Sequence, residues 1–233
     1  MYNVLAKHYD SLVKDEDATK QYVEFVKQHM LGDSIMELAC GSGEISLALA
    51  KTGYRMVASD ISASMLKVAK AKDATKLIDY QLMDMTKIND SNHYDAIICF
   101  CDSLNYLESD DLVNVFTSVY EHLNEQGVWM FDMHSLDRLE EFSEAFYEAG
   151  IVDGVEYTWS ICSEEDKLYH NFIFYDDRGN PQYENHIQNV FDPQEVKQLL
   201  EAIGFHLEIF TDFEKKGIQS GEKYFFVCRK GSV

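Results

Sequence analysis

From residue 34 to residue 83 the chain alternates short apolar runs with amphipathic ones, and this rhythm restricts its fold more than any other feature. Residues 34–38, 55–59 and 78–83 read as strands, with helices over 44–51 and 62–71 between them. Strand, helix and strand in that order pair as parallel neighbours through right-handed crossovers. Residues 94–100 continue the series as a mostly apolar central strand, followed by a helix over 110–123 and a strand over 127–133. Amphipathic helices over 3–13 and 18–31 precede the first strand, with Val23, Val26 and Met30 on one face of the second.

The pattern changes after a helix expected over 136–148. Residues 155–161, 168–175 and 182–191 read as consecutive strands, the last two joined by Asp176-Asp177-Arg178-Gly179-Asn180, which makes a β-meander. Asp192-Pro193 then caps and opens a helix that Gly204 closes, and strands over 205–211 and 223–228 are near enough to form a hairpin. The expected architecture is α/β: a seven-stranded, mostly parallel sheet with helices on both faces, an antiparallel C-terminal hairpin at its edge, and a β-meander inserted after strand five. Residues 1–149 are expected to form the core with its N-terminal helices, 150–191 an antiparallel insertion serving as a substrate lid, and 192–233 the completion of the core sheet.

Composition narrows the partners. Only two prolines occur in 233 residues and no Gly/Ser-rich linker interrupts them, so one generous domain is expected. The net charge of −21 is spread along the chain and repels phosphate backbones, which disfavours nucleic acid. The amino terminus lacks the basic-then-apolar layout of a signal peptide and no apolar run approaches a membrane span, so a cytoplasmic protein without a membrane partner is expected, as a monomer or homodimer. Five cysteines form no Cys-x-x-Cys pair and are expected to be free thiols. Cys99 and Cys101, two apart on one strand, should share a face and pack rather than bind metal; no metal site is expected.

The chemistry sits at strand ends. Ile35-Met36-Glu37-Leu38-Ala39-Cys40-Gly41-Ser42-Gly43 runs a strand into a Gly-rich turn that opens a helix, so backbone can approach a ligand where side chains would collide. Asp60 ends the second strand where a carboxylate accepts hydrogen bonds from ribose hydroxyls, and Met83-Asp84-Met85 ends the third. The glycine turn alone is a weak signal. Three successive strand ends, each with the feature expected of one adenosine-containing site, are far more specific.

Glu37-Leu38-Ala39-Cys40-Gly41-Ser42-Gly43 resembles motif I of class I S-adenosylmethionine-dependent methyltransferases, with Asp60 and Asp84 at their second and third motif positions. The resemblance covers residues 34–133 strongly and the closing helix and hairpin weakly. Tyr9-Asp10 and Cys101-Asp102-Ser103-Leu104-Asn105-Tyr106 further resemble bacterial methyltransferases of unassigned substrate. The resemblance implies a Rossmann-like fold and S-adenosyl-L-methionine as cofactor. It implies that backbone at Ala39, Gly41 and Gly43 lines the methionyl part, that Asp60 holds the ribose, that Asp84 and Met85 bind the adenine edge, and that Ile61 packs on the adenine. Glu37 either orients the turn or reaches the cofactor's ammonium through water. Tyr2 and Tyr9, on the helix that covers this pocket in the family, present a ring or hydroxyl to the sulfonium, or serve only as helix aromatics.

An NAD(P)-dependent oxidoreductase is the competing reading. Against it, the dinucleotide fingerprint wants a third Gly or Ala where this chain has Ser46, and Glu44 would repel a pyrophosphate. A non-catalytic S-adenosylmethionine-binding protein uses the same cofactor residues and stays open. For methyl transfer to a small-molecule N- or O-nucleophile, alignment and proton removal are the protein's tasks. Asp102, Asp132 and His134 follow strands four and five and are the substrate-side candidates, with Asp102 and His134 taken as catalytic. Each has a structural alternative: Asp102 as a cap, Asp132 bonding loop amides, His134 in an exposed loop. In the meander, Tyr169, Tyr175, Arg178 and His170 are candidates for reading the acceptor.

Overall fold

The computed structural model describes residues 4–231; Tyr2 lies outside them. Helices α1 (Leu5–Val13) and α2 (Glu16–His29) lead into β1 (Ser34–Glu37), α3 (Glu44–Lys51), β2 (Arg55–Asp60), α4 (Ala63–Lys72), β3 (Ile78–Leu82) and β4 (Tyr94–Cys99). There follow α5 (Ser109–His122), β5 (Leu123–His134), α6 (Asp137–Glu141), and the strands β6 (Phe146–Val152), β7 (Val155–Glu164), β8 (Lys167–Tyr175) and β9 (Pro181–Asn189). The chain closes with α7 (Pro193–Ile203), β10 (Phe205–Thr211), β11 (Lys215–Lys216) and β12 (Lys223–Lys230). The main sheet has the order β11-β10-β12-β5-β4-β1-β2-β3, the seven expected strands plus a two-residue edge, and β6-β7-β8-β9 form a second sheet.

Strands β1 to β5 run parallel, and β12 returns antiparallel between β5 and β10. Alternation along β1 sends Ile35 to one face with Val26, Leu49 and Met130, and Met36 to the other with Phe116, Trp129 and Phe226. Each such side chain contributes roughly 1.5–3 kcal/mol by leaving water. The closing helix starts as expected: Asp192 accepts from the Gln194 amide, Pro193 occupies the first position, and Gly204 stops it in the left-handed region. No described helix is long and apolar enough to cross a membrane.

The helix expected over 136–148 is wrong. It stops at Glu141, and residues 146–152 are extended as β6, paired along their length with β7. Helix-forming Glu and Ala residues populate the stretch, yet Asp153 (φ 50°) and Gly154 (φ 82°) form a tight hairpin turn that aligns it with β7, and pairing overrides propensity. The Cys99–Cys101 expectation also fails. β4 ends at Cys99, and Cys101 lies beyond it with φ 59°, so the two share no strand face.

The second sheet is fastened over the carboxyl edge of the first. Asn105 Nδ2 donates to the Asn189 carbonyl at 2.6 Å, and Asn189 Nδ2 donates to the Leu107 carbonyl at 2.8 Å. Helix α1 joins the two sheets. Its first turn has no cap of its own, and the Val4 and Leu5 amides donate instead to Glu184 Oε2 of β9 at 2.9 and 3.0 Å. Leu5 packs with Val152, Tyr157, Phe172 and Phe174.

Candidate active site

Glu37, the last residue of β1, is buried and accepts from Ser46 Oγ of α3. Burial pushes its carboxyl up to about 8. The turn that follows has positive φ at Ala39 (53°), Gly41 (53°) and Gly43 (77°). A Cβ on Gly43 would lie 2.9 Å from Ala69 Cβ, whereas one on Gly41 would meet nothing within 4 Å, so the turn is packed on one side and open on the other. Asp60 holds the open side: its Oδ2 accepts from the Gly41 amide at 2.8 Å and its Oδ1 from the Ser62 amide at 2.7 Å. Ile61 beside it is exposed. At the end of β3, Asp84 accepts from the amide and hydroxyl of Thr86 at 2.9 and 2.7 Å, opening a short 3-10 turn that begins at Met85.

Helix α1 crosses this turn. Asp10 accepts from Ser42 Oγ and pairs with Lys72 at 2.7 Å, and Lys72 also pairs with Glu44 at 2.6 Å. Tyr9, one residue earlier, faces inward; burial, with Cys101, Tyr106 and Asp102 nearby, holds its phenol protonated.

The second half of the site lies beyond β4 and β5. Cys101 and Asp102 are consecutive left-handed residues (φ 59° and 56°), a backbone that persists only when its surroundings hold it. Asp132 Oδ1 accepts from the Asp102 amide at 3.0 Å, and Gln188 Nε2 of β9 donates to the Asp102 carbonyl at 3.2 Å. Lys223, directly across from His134 in the β5–β12 register, sits 2.9 Å from Asp102 Oδ1 and 3.1 Å from Asp132 Oδ2. Tyr22 completes the set by donating to Asp132 Oδ2 at 2.6 Å. Burial alone would raise the Asp102 carboxyl, but Lys223 outweighs it and holds it below its ordinary value; Asp132, wholly buried and next to Asp102, is raised.

His134 Nδ1 is 3.6 Å from Asp102 Oδ1, and its Nε2 is 3.0 Å from Gln188 Oε1. Because the Gln188 amide nitrogen is committed to the Asp102 carbonyl, its oxygen accepts from His134, which puts the proton of the neutral ring on Nε2 and leaves a lone pair on Nδ1. His134 Nδ1 has no hydrogen-bond donor. The His134 Nδ1 lone pair thus faces, at 3.6 Å, a carboxylate oxygen that Lys223 pairs at 2.9 Å. Two open surface hollows, one against Ser34, Arg55 and Asn124 and one against His29, Gln126 and His206, lie at the opposite edge and hold none of these groups.

Comparison with known proteins decides the chemistry. Residues 35–127 match the family model described as a methyltransferase domain. A relative from Geobacillus sp. (strain WCH70), named "Putative methyltransferase", is 31% identical over 246 residues, covering 98% of this chain and 99% of its own. The solved structure of an S-adenosylmethionine-dependent methyltransferase from Clostridium acetobutylicum ATCC 824 is 26% identical, covers 99% of both chains and superposes with a TM-score of 0.82. The chain is an S-adenosylmethionine-dependent methyltransferase. The sugar N-methyltransferase KedS8 of Streptoalloteichus sp. ATCC 53650 shares the fold at 18% identity and a TM-score of 0.78, covering 100% of this chain and 94% of its own.

The carboxyl edge fits the methyltransferase cofactor on its own terms: Gly41 leaves open space and Asp60 offers a strand-end carboxylate beside it. Glu37, Ala39, Gly41, Gly43, Asp60, Ile61, Asp84 and Met85 all belong to the first three strand ends, whereas Tyr9, on α1, lies with Cys101, Asp102 and Tyr106 beyond β4. Asp102 and His134, from different strands, come together; Arg178 does not join them and sits on the exposed tip of the β8–β9 turn. Sequence reading missed Lys223 and Gln188. Alternation along the β9 segment was the one signal for Gln188, and none marked Lys223.

The packed side of the turn supplies a stability prediction for this methyltransferase. Gly43→Ala adds a left-handed strain and an overlap with Ala69, so it should cost about 2 kcal/mol, whereas Gly41→Ala costs only the strain, about 1 kcal/mol. Urea midpoints check this, and equal losses for the two variants would refute the packing argument.

Proposed function

We propose that this methyltransferase transfers the methyl group to the nitrogen of a small amine, with Asp102 and His134 holding and deprotonating the ammonium. The observation that carries the reading is His134 Nδ1, shut off from solvent without a donor and 3.6 Å from Asp102 Oδ1, an acidic oxygen whose ion pair with Lys223 leaves it able to accept a second donor. An ammonium brings two or three N–H donors and a positive charge to such a pair; a hydroxyl has one proton and satisfies only one of them. The buried group of Asp102, Asp132 and Lys223 counts two acids against one base, which favours a cationic acceptor further.

Bound cofactor supplies a methyl carbon on a sulfonium leaving group. On the cofactor side, backbone at Ala39, Gly41 and Gly43 is assigned to the methionyl part, Asp60 to the ribose, Asp84 and Met85 to the adenine edge, and Ile61 to its face. Glu37 is assigned to orienting the turn, since its carboxyl is committed to Ser46. Tyr9 closes the site from α1. On the acceptor side the His134 lone pair takes the ammonium proton, Asp102 holds the nitrogen and steadies the imidazolium that forms, and the freed nitrogen pair attacks in line. The sheet of β6–β9, which begins at Phe146 rather than at the expected residue 150, is assigned to covering the acceptor and excluding water.

The test is a panel of amines, alcohols and carboxylic acids incubated with cofactor labelled in its methyl group. Label should enter nitrogen. Label found only on oxygen would defeat the amine reading and leave the methyltransferase assignment untouched.

A further inference from the structure

Alternate residues of β7, β8 and β9 face the carboxyl edge of the main sheet, and on that face two ring nitrogens, Trp159 Nε1 and His170 Nε2, are shut off from solvent without a hydrogen-bond partner. The two rings stack with centroids 6.2 Å apart and planes at 24°. Their place is tied to the acceptor side. His170 pairs with His186 across β8 and β9, so its same-face diagonal neighbour is Gln188, the residue bonded to His134 Nε2. Trp159 Nε1 is not equivalent to Trp129 Nε1, which also lacks a partner. Trp129 is wholly buried among Phe116, Phe131 and Phe205, whereas Trp159 and His170 are each half-buried, on the face that carries Gln188.

We propose that Trp159 and His170 form a subsite for an uncharged hydroxyl of the acceptor, so that the substrate is a hydroxylated amine rather than an amino acid; this rests on the amine reading above. A hydroxyl both donates and accepts, so it satisfies the indole N–H and the imidazole nitrogen in either tautomer. A carboxylate satisfies the indole but needs a cation. Burial, with His134 and His186 nearby, lowers His170 to about 4, so at neutral pH it carries no charge. The neighbouring cations are already engaged: Lys223 lies between Asp102 and Asp132, and Arg138 pairs with Glu141. Each buried polar atom left without a partner is costly, and a ligand that supplies the partner recovers that cost on binding.

The probes are two amines of one skeleton, trans-2-aminocyclohexanol and cyclohexylamine, on the full chain. The chain has two tryptophans, so the nitrogen-15 indole spectrum is simple, and Trp159→Phe, which keeps a ring and removes the N–H, assigns the signal. With the demethylated cofactor bound, aminocyclohexanol should move the Trp159 signal saturably and cyclohexylamine should leave it in place. In turnover, kcat/KM should favour the hydroxylated amine about tenfold, one hydrogen bond's worth, and the Trp159→Phe variant should lose that preference. A Trp159 signal that responds alike to both amines, or to neither, overturns the subsite, and so does a natural chain that turns over the two amines with equal kcat/KM, a comparison that needs no variant. Methyl transfer to oxygen of aminocyclohexanol overturns instead the amine reading beneath it.

Discussion

Replacing His134 with Ala should lower kcat for methylation of an amine by about 10²–10⁴-fold at neutral pH, the contribution of a positioned general base, while cofactor affinity stays nearly constant. His134 ends β5, two strands from β1, and none of its bonds reaches the glycine turn. What the variant loses is the lone pair that the neutral ring carries on Nδ1 when Nε2 donates to Gln188. The loss should shrink as pH rises toward the acceptor's own pKa, because an amine that enters already deprotonated needs no base. That recovery separates a base from a packing residue. Rates are measured from neutral pH upward, with calorimetry for the cofactor; a deficit that stays constant with pH would show that His134 only shapes the pocket.

Lys223→Met should destabilise the fold by roughly 3–4 kcal/mol at pH 7, the scale for removing one partner from a buried charge pair. Met preserves the apolar stem but leaves Asp102 and Asp132 facing each other, with Asp132 fully buried. The pH dependence follows from the direction of the shifts. In the natural protein Asp102 is held below 3.8, so its share of stability is present above that value and is lost as pH falls through the depressed one. Without Lys223 burial dominates and both carboxyls are raised; a raised carboxyl costs stability above its folded pKa and relieves that cost once protonated. The difference between variant and natural protein should therefore be largest at neutral pH and shrink toward pH 4. Denaturant titrations across that range check it, and a pH-independent difference would assign the loss to packing. Asp102 should also lose its orientation, so activity falls in whatever fraction remains folded.

The glycine turn and the strand-end acids could be read from sequence because their causes are local. A backbone that must turn with positive φ favours Gly at 41 and 43, and a carboxylate two residues before a helix amide, as Asp60 is before Ser62, finds its partner in its own loop. The same locality makes Asp84 legible, since its partner Thr86 is also two residues on. Residues 142–148, read as helix, were misread for the opposite reason: Phe146–Val152 is extended through pairing with β7, and no feature inside the segment outweighs its helix formers.

By itself, then, the amino-acid sequence determined the parallel core, the cofactor edge and the existence of a β-insertion, each set by patterns that span a few residues. Tertiary structure alone decided that His134 and Asp102 face one another, that Lys223 lies beside them, and that Gln188 selects the His134 tautomer. Lys223 reaches the site because β12 runs antiparallel to β5 in the register that sets it opposite His134, and Gln188 because the second sheet folds over the first. Shifting either register by one residue would turn these side chains to the other face. The physical reason is that a carboxylate, an ammonium or an imidazole acquires its chemistry from the charges and burial around it, and those are properties of strand pairing across the whole chain.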